Sequence, residues 1–358
     1  MTFGWSTQTS SVVDESVALT MLNKFLDHEK NVSRKQSESG TATSGKAFID
    51  TARIYAGGKT ESIIGTILPQ IPAQHVLHIG TKAHPSQPDG LAPKGMRRQL
   101  EQSMEAMGMS SGSDSIHEFY LHSPDPENSL LESLKCANEL IQEGKIEVLA
   151  MSNYHASEMK RAFDLCQQFN LVKPTVYQGL YNPLNRMVES ELLPLLREHG
   201  CKFVAYNPLA AGLLTGKHSL GDANVKDGRF KNNPNYLPRF YTPSNHAAIE
   251  SIRAACDQHN IPMTEATFRW ILCHSALGKE DGVLLGASSM EQLEQNLQAC
   301  EISSTENGLL PPSVLKAFED AWELTAAENP FAYWRSYSSD MPDRLTLDHG
   351  ASYAASKK

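Results

Sequence analysis

The stretch NSLLESLKCANELIQEGKIEVLAMSN, residues 128–153, contains a complete helix-to-strand step. Leu130, Leu131, Leu134, Ala137, Leu140 and Ile141 fall on one face at helical spacing, the pattern of an amphipathic helix. Gly144 follows as a left-handed cap, a conformation that glycine adopts without a Cβ penalty. IEVLAMSN (146–153) then reads as a short apolar strand that ends on the polar Asn153. Upstream, SIHEFYLH (115–122) is a similar run ending on His122. Strand, helix and strand in this order imply parallel strands joined by a helical crossover.

The same unit recurs outward in both directions. Further runs are AFID (47–50), HVLHIGTK (75–82), TVYQ (175–178), KFVAYN (202–207) and VLLGAS (283–288), and SELLPLLREHG repeats the Gly-capped helix, ending at Gly200. Each run ends on a polar residue: Asp50, Lys82, His122, Asn153, Gln178, Asn207 and Ser288. Apolar strands with polar C-terminal ends suit a (β/α)8 barrel, whose interior is packed and whose C-terminal rim carries the chemistry. A doubly wound sheet would also alternate, but no GxGxxG follows a strand and no GxxxxGK[ST] occurs; GLLTGK (212–217) lacks the spacing. The expected fold is therefore a single α/β domain over residues 1–358, a TIM barrel.

Seven strands are evident, so the eighth must come first. MTFGW is the only segment available for it, clipped, before a helix from about Asp14 to His28. Residues 30–46 are polar and read as a flexible surface insertion. The Asn-, Gly- and Pro-rich segment 221–243 reads as a long loop over the barrel mouth. Helices are expected near 244–259, 263–275 and 312–327, with a polar tail over 328–358.

Composition narrows the function. The net charge is −9 and no Lys/Arg-rich tract occurs, which argues against nucleic acid and anionic membrane as partners. No apolar run approaches the roughly 20 residues that a bilayer requires. The N-terminus lacks the basic start and long apolar stretch of a signal peptide. The 6 cysteines are scattered without metal-ligand spacing, as expected of reduced thiols in the cytoplasm, and no metal is expected at the site.

On a barrel, the ends of the second, third and fourth strands are neighbours. Asp50, Lys82 and His122 then stand on adjacent spokes, with Tyr55 on the loop after the second strand. A free tyrosine titrates near pH 10 and is a reluctant acid at neutral pH. A buried ammonium nearby stabilises the phenolate, and a carboxylate beside the ammonium keeps it charged. His122 could polarise a substrate carbonyl. Taken singly, each residue has an ordinary reading: an Asp cap, a packed Tyr, a solvated Lys, a core His. Their joint placement at strand ends favours proton transfer.

DTARIY, GTKAHP and YLHSPD resemble the catalytic segments of the aldo-keto reductases, nicotinamide-dependent enzymes built on a (β/α)8 barrel. MSNY, YQGLYNPLNR, AYNPLAAGLLTGK and LLGASSMEQLEQN are most similar to the aflatoxin-aldehyde and succinic-semialdehyde reductase branch. The resemblance implies that Asp50, Tyr55, Lys82 and His122 are a catalytic tetrad, with NADPH/NADP+ as cofactor. It places Ser152 and Asn153 on the carboxamide, Gln178 nearby and Tyr206 beneath the ring. Asn207, Pro208, Leu209, Gly212, Leu214, Gly216 and Lys217 would wrap the pyrophosphate, with Arg229 as a loop cation. Ser288, Ser289, Gln292, Gln295 and Asn296 would clasp the adenosine end. Tyr236 and Arg239 resemble a pair that, together with His122, faces carboxylate-bearing aldehydes such as succinic semialdehyde. The implied partner is a small aldehyde or ketone, and the branch includes homodimers. Two other readings remain open here: a nicotinamide-sensing subunit resembling the potassium-channel β-subunits, and a barrel aldolase with Lys82 as Schiff base.

Overall fold

In a computed structural model, the described residues are 3–5, 12–38, 46–72, 75–110, 112, 114–217, 230, 237–328 and 330–351. Seven parallel strands form one sheet in strictly sequential order: β1 (Lys46–Asp50), β2 (Val76–Ala83), β3 (Ile116–Leu121), β4 (Ile146–Ser152), β5 (Val176–Leu180), β6 (Lys202–Tyr206) and β7 (Gly282–Val283). The helices are α1 (Glu15–Glu38), α2 (Lys59–Ile67), α3 (Pro93–Ala106), α4 (Leu130–Gln142), α5 (Ala156–Gln168), α6 (Leu192–Glu198), α7 (Leu237–Phe240), α8 (Pro243–Gln258), α9 (Met263–Cys273), α10 (Met290–Ser303) and α11 (Pro312–Ala326). Gly144 and Gly200 close α4 and α6 with φ of 70° and 62°, the left-handed caps expected from the sequence.

The sheet buries both faces. Inside lie Tyr120, Ala150, Val176, Val148 and Val204, alternate residues of β3 to β6. Their neighbours along the strands, such as Phe119, Leu149, Tyr177 and Phe203, join the layer packed against helices. Tyr120 is an inner-layer residue two positions before His122, as the period of two requires. With every strand parallel and in order, all the polar strand ends meet at one rim.

Three expectations need correction. MTFGW does not supply a first strand among the described residues: Phe3 and Gly4 form a turn, and the Gly4 N–H donates to the Val13 carbonyl at 3.0 Å. The last strand is correspondingly short, because its outer edge has no strand partner among the described residues; beyond Val283 one further rung runs from the Leu284 N–H to the Ala205 carbonyl at 2.9 Å. The seam is closed by side chains instead. Ala47 of β1, Ala287, Leu293 and Leu297 share one buried cluster with Val13, Leu22 and Leu26. The third correction concerns the expected insertion, since α1 runs on to Glu38. HEKNVSRKQSE is rich in straight-chain helix formers and contains neither Gly nor Pro to stop it. Residues 39–45 lie outside the described residues, as do 221–229 and 231–236 of the long loop. No helix among the described residues is long and apolar enough to cross a membrane.

Candidate active site

Lys82 stands near the end of β2 with its side chain fully buried. Its Nζ donates to Asp50 Oδ1 at 2.5 Å and to the Thr51 carbonyl at 2.7 Å, both at the end of β1. The ammonium also lies 5.2 Å from the centroid of the Tyr55 ring and 5.0 Å from that of Tyr120. His122 meets the Tyr55 ring edge-on, with centroids 5.8 Å apart at 83°. The four residues singled out in the sequence are therefore one cluster. His122 Nδ1 is buried with no hydrogen-bond partner among the described residues.

Burial sets the electrostatics. It lowers the pKa of Lys82, while Asp50, Glu118 and Glu61 work in the opposite direction and hold the charge. His122 is driven well below its usual value by burial, reinforced by His84, Lys82 and Arg335, so it is neutral at pH 7. His84 packs edge-on against it at 4.9 Å, and burial and Arg335 bring its pKa to about 4. Such a histidine binds its proton more tightly in the unfolded chain. The stabilisation from keeping it neutral is complete above about pH 6.5 and is lost as pH falls toward 4, at most about 3 kcal/mol. Glu158, raised to about 7 mainly by burial, favours the fold in the opposite direction, losing its contribution as pH rises from 4.5 to 7. The comparison must therefore be differential. Urea midpoints from pH 7 to 4.5 should fall more steeply for the wild type than for His84→Asn; equal slopes would show that His84 does not carry the effect.

The Tyr55 loop is held from below. Tyr55 opens a short turn through Gly58 in which Ala56 has φ of 50°, a conformation disfavoured for a residue with a Cβ. The Arg53 guanidinium pairs with the fully buried Glu61, whose other oxygen accepts from Thr81 Oγ1 at 2.6 Å. A Cβ at Gly58 (φ 95°) would collide with that guanidinium, so glycine is required there. Arg53, Glu61, Thr81, Tyr120, His84 and Arg335 were missed in the sequence. The period of two would have exposed Tyr120 as an interior neighbour of His122, but no local signal marks the others.

Those of the expected cofactor residues that are described lie at adjoining strand ends, in the segment after β6 and at the start of α10. Asn153, in a left-handed conformation with φ of 63°, donates from Nδ2 to the His122 carbonyl at 2.8 Å and to Ser152 Oγ at 2.9 Å. Tyr206 Oη donates to Asn153 Oδ1 at 2.8 Å, fixing the aromatic ring beside the tetrad. Gln178 is tied to the tetrad itself, donating to Asp50 Oδ1 at 2.8 Å. From Asn207 to Gly216 the chain carries repeated left-handed residues, Asn207, Ala210, Ala211, Gly212 and Gly216. Such a run turns backbone N–H groups toward one side, a concavity suited to an anion. Pro208, Leu209 and Leu214 belong to this turn, and Lys217 is exposed just after it. Ser289 caps α10 by accepting from the Gln292 N–H, and Ser288 donates to Gln292 Oε1 from both N–H and Oγ. Gln295 pairs with Glu291 on the helix surface, and Asn296 holds the Gly286 carbonyl at 3.2 Å.

Arg239 is buried in α7, its guanidinium 3.7 Å from the Phe331 ring centroid and 5.5 Å from that of Phe240. Arg335 is anchored in the C-terminal segment by its N–H to the Asn153 carbonyl at 2.9 Å, and its charge reaches both His122 and His84. Tyr236 and Arg229 lie outside the described residues.

Residues 1–309 match the model of the Aldo/keto reductase family. The chain is 40% identical over 316 residues to aflatoxin B1 aldehyde reductase member 2 of Mus musculus, covering 83% of this chain and 84% of that protein. It is 40% identical over 298 residues to aldo-keto reductase family 7 member A3 of Homo sapiens, covering 80% and 87%. An aldo-keto reductase of the fungus Pseudocercospora fijiensis is 35% identical over 295 residues, covering 78% and 94%.

Proposed function

The chain belongs to the aldo/keto reductase family of (β/α)8-barrel oxidoreductases, and from that premise we propose that it reduces aldehydes with NADPH, Tyr55 acting as the general acid. The observation that carries this reading is the buried Lys82–Asp50 pair beside Tyr55, with the neutral His122 against the same ring. When bound, the cofactor supplies the hydride. The residues at hand fit it: a left-handed run after β6, a fixed aromatic ring at Tyr206 and amide groups at Asn153 and Gln178. Ser152, Asn153, Gln178 and Tyr206 would hold its nicotinamide end, Asn207 to Lys217 its pyrophosphate, and Ser288 to Asn296 its adenosine end. Segment 288–296 has no Lys or Arg, so preference for NADPH over NADH would draw on hydroxyl and amide donors there, with Lys217 and Arg229.

The chain's own residues handle the proton. His122 would donate a hydrogen bond to the carbonyl oxygen and orient it toward Tyr55. Tyr55 Oη would pass its proton to that oxygen as negative charge develops there. Lys82 would stabilise the phenolate left behind, and Asp50 would keep Lys82 an ammonium. Asp50 and the Thr51 carbonyl occupy Nζ, which favours a charge-stabilising lysine over a Schiff-base nucleophile. The reaction would run in the cytoplasm, on one barrel domain, as a monomer or homodimer.

The substrates we propose carry an acid group, succinic semialdehyde and 2-carboxybenzaldehyde among them. A guanidinium set among aromatic rings binds a carboxylate bidentately and positions the aldehyde. The names of the relatives, aflatoxin B1 aldehyde reductases, support carbonyl reduction in general. NADPH consumption should be faster with 2-carboxybenzaldehyde than with benzaldehyde. Arg239→Met should raise KM for the acid about tenfold or more and leave benzaldehyde nearly unchanged, the loss of one charge-assisted contact being about 1.5–3 kcal/mol. Equal losses on both substrates would remove Arg239 from acid recognition.

A further inference from the structure

The opposite end of the barrel carries a second convergence of side chains, unrelated to the reduction. His78 lies on β2, His117 on β3 and Glu147 on β4, each near the N-terminal end of its strand. The register makes them neighbours. Ile116 pairs with Ile146 and Glu118 with Val148, so His117 and Glu147 are level; Gly80 pairs with Glu118, which brings His78 level with Ile116. One donor atom from each of the three lies within 4.8 Å of the others. His117 Nδ1 is 2.7 Å from Glu147 Oε2, and the two imidazoles pack edge-on with centroids 3.9 Å apart at 89°.

We propose that His78, His117 and Glu147 bind a divalent transition-metal ion, Zn2+ foremost, which staples β2, β3 and β4 together at the N-terminal end of the barrel. Two imidazole nitrogens and one carboxylate suit zinc and its first-row neighbours, whereas calcium and magnesium want oxygen donors. A tetrahedral ion with bonds of about 2.1 Å holds its donors about 3.4 Å apart, within reach of a small rotation of the exposed Glu147. The surroundings are those of a ligand set. Ser115 Oγ donates to the other Glu147 oxygen at 2.7 Å and orients the carboxylate. The Phe48 ring lies 5.2 and 5.6 Å from the two imidazole centroids as an apolar flank. Partial exposure leaves an entry path and room for water in the fourth position.

An isolated His–Glu contact on a surface stabilises little and needs no ion. What distinguishes this one is the second imidazole, brought by a third strand into the same few ångströms. The place also gives the ion something to do. The β2–β3 ladder begins at Gly80 and Glu118, so an ion held by His78 and His117 would fasten these strands ahead of their first backbone pair, with Glu147 tying β4 to them. His78 precedes Lys82 by four residues on the same strand, about 13 Å, so the ion would not touch the reaction centre.

The test is a titration of the full-length protein, stripped with EDTA, using CoCl2 and then ZnCl2. One equivalent of Co2+ should give visible absorption bands that one equivalent of Zn2+ abolishes, and Zn2+ should raise the thermal midpoint by mass action. His117→Ala and Glu147→Gln should each weaken Co2+ binding about a hundredfold and cancel the thermal shift, with NADPH turnover unchanged. Two results would overturn the proposal. One is no stoichiometric binding by the wild type. The other is the same spectrum and shift in both variants, which would put the ion on cysteines or elsewhere on the surface.

Discussion

Tyr55→Phe should cost between about a hundredfold and ten-thousandfold in kcat for aldehyde reduction, the range set by loss of a positioned general acid. The substitution removes one oxygen and keeps the ring that packs beside Lys82 and His122. Cofactor affinity, read by quenching of protein fluorescence on adding NADPH, should hardly move, and the thermal midpoint should stay within a degree or two. Full loss of turnover with intact binding would separate proton donation from assembly of the site. A variant retaining most of its rate would mean that another group, with His122 the nearest, supplies the proton.

Lys82 gives the second large effect, and here two neighbouring substitutions should diverge. Lys82→Met removes a buried charge and replaces it with an apolar chain of similar length. Asp50, partly exposed and still bonded to Gln178, keeps a partner. Removing one partner of a buried pair destabilises, but Asp50 keeps Gln178 and contact with water, so the loss should stay smaller than that of Asp50→Ala. The kcat of Lys82→Met should fall about a thousandfold, because nothing then stabilises the Tyr55 phenolate. Asp50→Ala should cost more stability. It leaves Lys82 fully buried with the Thr51 carbonyl as its remaining acceptor, and breaking a buried pair on one side costs about 3–5 kcal/mol. Urea denaturation beside initial-rate kinetics reads both quantities. Matching losses of stability in the two variants would show that Lys82 is chiefly structural.

Much of the fold was readable because a barrel repeats one unit. Helical spacing from Leu130 to Ile141, the cap at Gly144 and the polar end at Asn153 each report a local rule, and each is seen in the structure. The clustering of Asp50, Lys82 and His122 was readable for the same reason, since strand ends in register bring them together. The misses lie where local rules do not decide. The strand pairing of VLLGAS depends on a partner strand far away in sequence, and without it only Gly282–Val283 pair. The polar run 30–38 lacks apolar periodicity yet extends α1, since helix propensity alone suffices next to a packed segment. Arg53, Glu61 and Thr81 support Tyr55 through contacts that only the folded loop creates. Arg335 comes from the far end of the chain, and His78, His117 and Glu147 from three strands, so no spacing within a motif could announce them.

Hydride transfer is the central claim, and isotope transfer tests it most directly. The protein would be incubated with NADPH deuterated at the nicotinamide C4 and with 2-carboxybenzaldehyde, and the product analysed by mass spectrometry. The expected result is one deuterium on the carbinol carbon from one diastereotopic form of the labelled cofactor and none from the other, with Tyr55→Phe producing almost no alcohol. NADPH binding without deuterated alcohol from any aldehyde in a broad panel would contradict the account and favour a nicotinamide-sensing role.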